Sequence, residues 1–214
     1  ISIWPISQSA YAASNPGPTI LVFGDSLSAA YGIPREKGWV SLLQSSLADH
    51  KPAYRIVNAS ISGETTSGGI HRLKRVLDEH EPDYVLLQLG ANDGLRGLPV
   101  ADIRRNLGNM ITLSQQAGAQ VMLVGIMIPP NYGPRYTQEF KDSYALLAKQ
   151  YHLPFVPFLL EGVAGDPTLM QEDGLHPTAA AQPILLENVW KVMRPELRAK
   201  GGRSDKRAAI QPGT

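Results

Sequence analysis

The sequence predicts an α/β fold in which a parallel sheet is covered by helices on both faces. Three observations carry that expectation. Short apolar runs stop abruptly at polar or glycine-rich segments, as strands buried on both faces do. Between them lie segments whose apolar residues recur at helical spacing. Strand and helix alternate five times with no internal repeat, the pattern of βαβ units with right-handed crossovers.

The elements follow in order. Asn15-Pro16-Gly17-Pro18 ends a leader and opens the domain. Thr19–Phe23 reads as the first strand, stopped by Gly24, and Trp39, Val40, Leu42, Leu43 and Leu47 mark a helix after it. Tyr54–Asn58 is the second strand, followed by a helix carrying Ile70, Leu73, Val76 and Leu77. Tyr84–Leu89 is the third, followed by Ile103, Leu107, Met110, Ile111 and Leu113 on one helical face. Val121–Ile126 is the fourth, followed by Tyr144, Leu147, Ala148 and Tyr151. Pro154–Phe158 is the fifth, and its prolines restrict it to an edge. Ile184, Leu185, Val189, Trp190 and Met193 mark the last helix. A flavodoxin-like strand order, 2-1-3-4-5, makes strands 2, 1 and 3 neighbours. Their exit loops then share the carboxyl edge, where such sheets build their sites.

Residues 1–18 read as a leader, 19–197 as one domain, and 198–214 as a basic, disordered tail. In the leader, Ile1-Ser2-Ile3-Trp4-Pro5-Ile6 is apolar and Ala10-Tyr11-Ala12 has the small-x-small form of a signal-peptidase site, so export is expected. The chain has 214 residues, 43% of them apolar, with a net charge of +1 and no cysteine. That is enough apolar material for a packed core. It rules out disulfides and zinc–thiolate sites, and nucleic acid is not an expected partner. Six basic and two acidic side chains fall in residues 194–214, leaving the rest at −3. No run of 18 apolar residues is present, so no membrane insertion is expected.

Four islands bear chemistry. Gly24-Asp25-Ser26-Leu27 follows the first strand directly and precedes a helical turn. A helix start offers free N–H groups and a partial positive charge to a growing anion, and Ser26 is a candidate nucleophile there. Taken alone, Asp25-Ser26 reads equally well as a helix cap. Gly63 lies in the loop after the second strand, where glycine lets a backbone N–H approach a ligand. Asn92, in Gly90-Ala91-Asn92-Asp93, offers a side-chain amide donor or an Asx turn. His176 stands apart from His50, His71, His80 and His152, which read as surface or turn positions. It sits three residues after Asp173, so one turn can bring a carboxylate to the imidazole, leaving its other nitrogen to accept the Ser26 proton. The Ser, Asp, His order is that of α/β-hydrolases, but no Gly-x-Ser-x-Gly elbow is present.

Together the blocks Gly24-Asp25-Ser26-Leu27-Ser28, Gly63, Gly90-x-Asn92-Asp93 and Asp173-x-x-His176 resemble the SGNH/GDSL hydrolase family over about residues 19–197. Asn58-Ala59-Ser60-Ile61-Ser62-Gly63, Gly94-Leu95-Arg96-Gly97 and Pro130-Asn131-Tyr132-Gly133 are similar to its bacterial thioesterase I/lysophospholipase/arylesterase group. The resemblance implies Ser26 as nucleophile, His176 as base and then acid, and Asp173 orienting His176. It implies an oxyanion hole of the Ser26 N–H, the Gly63 N–H and the Asn92 amide. It further implies no cofactor, periplasmic or secreted residence, and acyl-CoA thioesters, lysophospholipids and small aryl or alkyl esters as substrates. A monomer is expected. Leu95, Ile128, Pro129, Pro130 and Tyr132, in the loops after strands three and four, are the candidate acyl-site lining; packing within those loops is their other reading.

Three other readings are open to the same residues. One is a carbohydrate O-acetylesterase of the same family. Another is a metal-dependent phosphoesterase built on Asp25, Asn92, Asp93, Asp173 and His176, although only His176 is a well-placed imidazole and the usual ligand clusters are missing. The third is a ligand-binding domain that has lost catalysis, against which every catalytic position holds a competent residue type.

Overall fold

A computed structural model describes residues 17–50 and 53–200. The expected leader therefore lies outside the described residues up to residue 16, and the expected tail from residue 201 onward. Five strands form one parallel sheet in the order β2-β1-β3-β4-β5, the order expected. They are β1 (Thr19–Gly24), β2 (Arg55–Asn58), β3 (Tyr84–Gln88), β4 (Gln120–Val124) and β5 (Phe155–Val156). In register, Ile20 lies beside Ile56 on one side and Tyr84 on the other.

The helices are α1 (Trp39–Ser46), α2 (Thr66–His80), α3 (Ala91–Leu95), α4 (Val100–Gln116), α5 (Pro134–Tyr151) and α6 (Gln182–Lys200). Helix α1 packs on α6, while α2 packs on α4 and α4 on α5, so the two groups cover opposite faces of the sheet. The central strand shows why the pattern read as it did. Ile20, Leu21, Val22 and Phe23 are all fully buried, because β1 has helices above and below. Each such side chain contributes roughly 1.5–3 kcal/mol by leaving water. Trp39, Tyr144, Phe23 and Phe140 are the largest fully buried groups and fill the two sheet–helix interfaces.

Three local departures have physical causes. Strand β5 shrinks to two residues because Pro154 and Pro157 have no N–H to give the ladder. Pro154 still accepts from Leu123 N–H at 3.0 Å, and Val156 accepts from Gly125 N–H at 2.8 Å. The short helix α3 sits in what reads as loop, since five residues cannot display a helical period. The helical turn expected after Ser26 is present but does not extend into a helix; a run of turns follows. Asp25 carbonyl accepts from Ser28 and Ala29 N–H at 3.2 and 3.0 Å, and left-handed Ala30 (φ 60°) lies at the far end of the run.

Candidate active site

Strand β1 delivers Ser26 to the carboxyl edge of the sheet, and its neighbours fix the turn that carries it. Asn58 at the end of β2 donates Nδ2–H to Ser28 carbonyl at 2.8 Å. Trp39 donates Nε1–H to Leu27 carbonyl at 3.2 Å. Gln88 at the end of β3 accepts from Ser28 Oγ at 2.6 Å and donates to Asp25 Oδ1 at 3.0 Å. This packing leaves no room for a side chain at Gly24, whose added Cβ would lie 2.7 Å from Gln88 Oε1. Asp25 is fully buried, and burial pushes its carboxyl up to about 6 despite hydrogen bonds from Gln88 and Leu27. Its Oδ2 has no partner among the described residues.

The residues around 173–176 meet this turn from 150 positions away. His176 Nε2 lies 2.8 Å from Ser26 Oγ, and His176 Nδ1 lies 2.6 Å from Asp173 Oδ2. Asp173 Oδ1 accepts the N–H groups of Leu175 and His176 at 2.9 and 3.0 Å. Burial raises the Asp173 carboxyl, but these hydrogen bonds outweigh it and pull the group down to about 2. An ionised carboxylate only accepts, so Nδ1 carries the imidazole proton and Nε2 presents its lone pair to the Ser26 hydroxyl. The Tyr31 ring lies against the His176 ring, centroids 4.5 Å apart.

The loops after β2 and β3 lie beside this turn, since β2 and β3 flank β1. Gly63 has φ +81°, a conformation natural to glycine, and an added Cβ there would meet nothing within 4 Å. The Ser26 and Gly63 N–H groups have no acceptor among the described residues. Asn92, in the first turn of α3, donates one Nδ2 hydrogen to Glu64 carbonyl at 2.9 Å. An amide has two such hydrogens, so one is left for a ligand. Asp93 is turned inward, accepting Thr66 N–H at 2.9 Å and Thr66 Oγ–H at 2.6 Å.

The candidate lining residues divide. Tyr132 is partly exposed and donates Oη–H to Leu95 carbonyl at 2.8 Å, tying the β3 and β4 loops together. Leu95 and Pro129 are half-buried and Pro130 is exposed. Ile128 is buried in the core, where it and Phe140 close over Gly94; it backs the loop rather than facing outward. Of the carboxylates a metal site would use, Asp25 and Asp93 are sealed in these internal networks, and no metal-binding group of three His, Asp or Glu residues occurs among the described residues. Sequence reasoning missed Gln171. Its side chain donates to Tyr31 carbonyl at 2.9 Å and Pro177 carbonyl at 3.0 Å, and its N–H to His176 carbonyl at 2.7 Å. No motif announces such a staple, because its partners are backbone carbonyls.

A family model, the GDSL-like Lipase/Acylhydrolase family, matches residues 22–183. The chain belongs to this family. It is 52% identical over 179 residues to Esterase TesA of Pseudomonas aeruginosa, covering 84% of this chain and 89% of the relative. It is 39% identical over 177 residues to Thioesterase 1/protease 1/lysophospholipase L1 of Escherichia coli (strain K12), covering 83% and 84%. Among solved structures, the psychrotrophic esterase EstA from Pseudoalteromonas sp., inhibited by monoethylphosphonate, superposes with a TM-score of 0.80 at 43% identity, covering 85% of this chain and all of that one. Like these relatives, the chain is a GDSL-family hydrolase. No described helix is long and apolar enough to cross a membrane.

Proposed function

We propose that this hydrolase cleaves carboxylic esters and thioesters through an acyl-enzyme on Ser26. The observation that supports it best is the line of hydrogen bonds Ser26–His176–Asp173, 2.8 and 2.6 Å long. Ser26 Oγ attacks the acyl carbonyl while His176 Nε2 takes its proton. Asp173 holds the imidazolium that forms. The Ser26 N–H, the Gly63 N–H and the free Asn92 hydrogen receive the negative charge on the carbonyl oxygen. His176 then gives its proton to the departing alcohol or thiol. In the second half, His176 deprotonates water, which attacks the acyl carbon; the proton returns to Ser26 as the acid leaves. No cofactor takes part.

The substrates proposed are acyl-CoA thioesters, lysophospholipids and small aryl or alkyl esters, in line with the names of the relatives. Leu95, Pro129, Pro130 and Tyr132 receive the acyl chain, with Ile128 supporting them from below. The enzyme acts as a periplasmic or secreted monomer, a reading that rests on the small-x-small leader and the family resemblance. Ser26→Ala should abolish p-nitrophenyl ester cleavage with the far-UV spectrum unchanged. Near-native turnover from that variant would remove the nucleophile assignment.

A further inference from the structure

Glu64 stands between the two loop-borne donors. Its N-terminal neighbour is Gly63, and its carbonyl accepts the Asn92 amide at 2.9 Å. The side chain of the same residue is held as well. The Glu64 carboxylate is paired with Arg72 Nε at 2.5 Å, about two turns into α2. The same guanidinium lies 4.0 Å from the centroid of the Phe23 ring, on β1, whose last residue Gly24 is two positions before Ser26. Both side chains are largely shielded, at 16% and 11% exposure. The pairs Lys74–Asp78 and Arg105–Asp102 are mostly exposed, and exposed pairs contribute little. The Glu64–Arg72 pair is different: it is shielded, and Arg72 Nη2 is buried with no acceptor among the described residues, an exception among buried polar groups.

We infer that Arg72 is a positioning residue for Asn92, acting through Glu64; this rests on the oxyanion reading above. The guanidinium is clamped between an aromatic face and a carboxylate, so the Glu64 side chain has one seat. With that seat fixed, the Glu64 carbonyl takes up one Asn92 hydrogen and aims the other. Without Arg72, the Glu64 side chain loses its seat and the carbonyl can shift within the turn closed by the Glu64 N–H to Ile61 carbonyl bond, 3.1 Å long, so the amide loses a fixed reference point. Thr66 is anchored separately by Asp93, so the start of α2 stays in place.

The test is a double-mutant cycle on the kcat of p-nitrophenyl ester cleavage. Asn92→Ala should cost roughly 10²–10³-fold, the usual loss for one oxyanion donor. Arg72→Met should lower kcat about tenfold or more with KM little changed, yet cost under about threefold in the Asn92→Ala background. Equal costs in both backgrounds would overturn the inference while leaving the oxyanion reading intact. An Asn92→Ala loss under about threefold would instead remove the oxyanion reading itself. Arg72→Met leaves a buried carboxylate unpaired and can fail to fold. Glu64→Gln/Arg72→Met removes both charges, and neutral replacements of buried pairs usually fold. That double variant should melt near the native temperature and still lose kcat by about tenfold; native kcat in it would overturn the inference.

Discussion

Two carboxyls near the site are pushed in opposite directions, and the difference is measurable as stability. Asp25, fully buried, is raised from 3.8 to about 6 because desolvation outweighs its hydrogen bonds and the attraction of His176. Below about pH 4 it is neutral in native and unfolded chains alike. From about pH 4 to about pH 6 the unfolded chain ionises while the native one keeps its proton, so stability falls as pH rises. Above that range the loss levels off at about 3 kcal/mol, from 1.36 kcal/mol per unit. Asp173, pulled down to about 2, works the other way: its contribution is present above about pH 4 and is lost as pH falls toward 2. Asp25→Asn keeps the acceptor for Leu27 N–H and cannot ionise. Urea unfolding at pH 4 and pH 7 should show the variant gaining on the native protein by about 3 kcal/mol at the higher pH. Parallel pH dependence of the two proteins would refute the assignment.

At the level of elements, the site is made by loops that rigid strands hold still. Ile61 donates its N–H to Gly24 carbonyl at 3.0 Å, tying the Gly63 loop to the end of β1. Gln171 ties the loop carrying His176 to the turn carrying Ser26 through Tyr31. Gln171→Ala should lower kcat roughly tenfold or more, since an ångström of misplacement between reacting groups is costly. Gln171→Glu, equal in shape but without N–H groups, should lose as much. A native rate in either would show that the loop holds itself. The sequence announced the strands because burial on both faces writes a continuous apolar run, and it put Ser26, Asp173 and His176 forward as candidates because triad chemistry needs those residue types; the structure brings the three together. The ties were silent. Gln88, Gln171, Glu64 and Arg72 act through backbone carbonyls or through contacts between remote segments, which leave no pattern along a chain. The five residues of α3 and the two of β5 are too short to show a period, and Ile128 reads as pocket lining because apolarity does not say which way a side chain faces.

In the whole molecule, one topological fact organises the chemistry. The order β2-β1-β3 sets three exit loops side by side, and the segment leading into α6 returns His176 to the middle of them. Helices on both faces keep β1 buried, so the turn carrying Ser26 starts from a packed central strand. The central claim is that this convergence makes Ser26 the reactive hydroxyl. The direct measurement is to treat the protein with a fluorophosphonate and map the adduct by peptide mass spectrometry beside residual esterase activity. One phosphonyl group per chain is expected, on the peptide containing Ser26, with activity falling in proportion to labelling and no adduct in His176→Ala. An adduct on another residue, or full activity with Ser26 labelled, would contradict it.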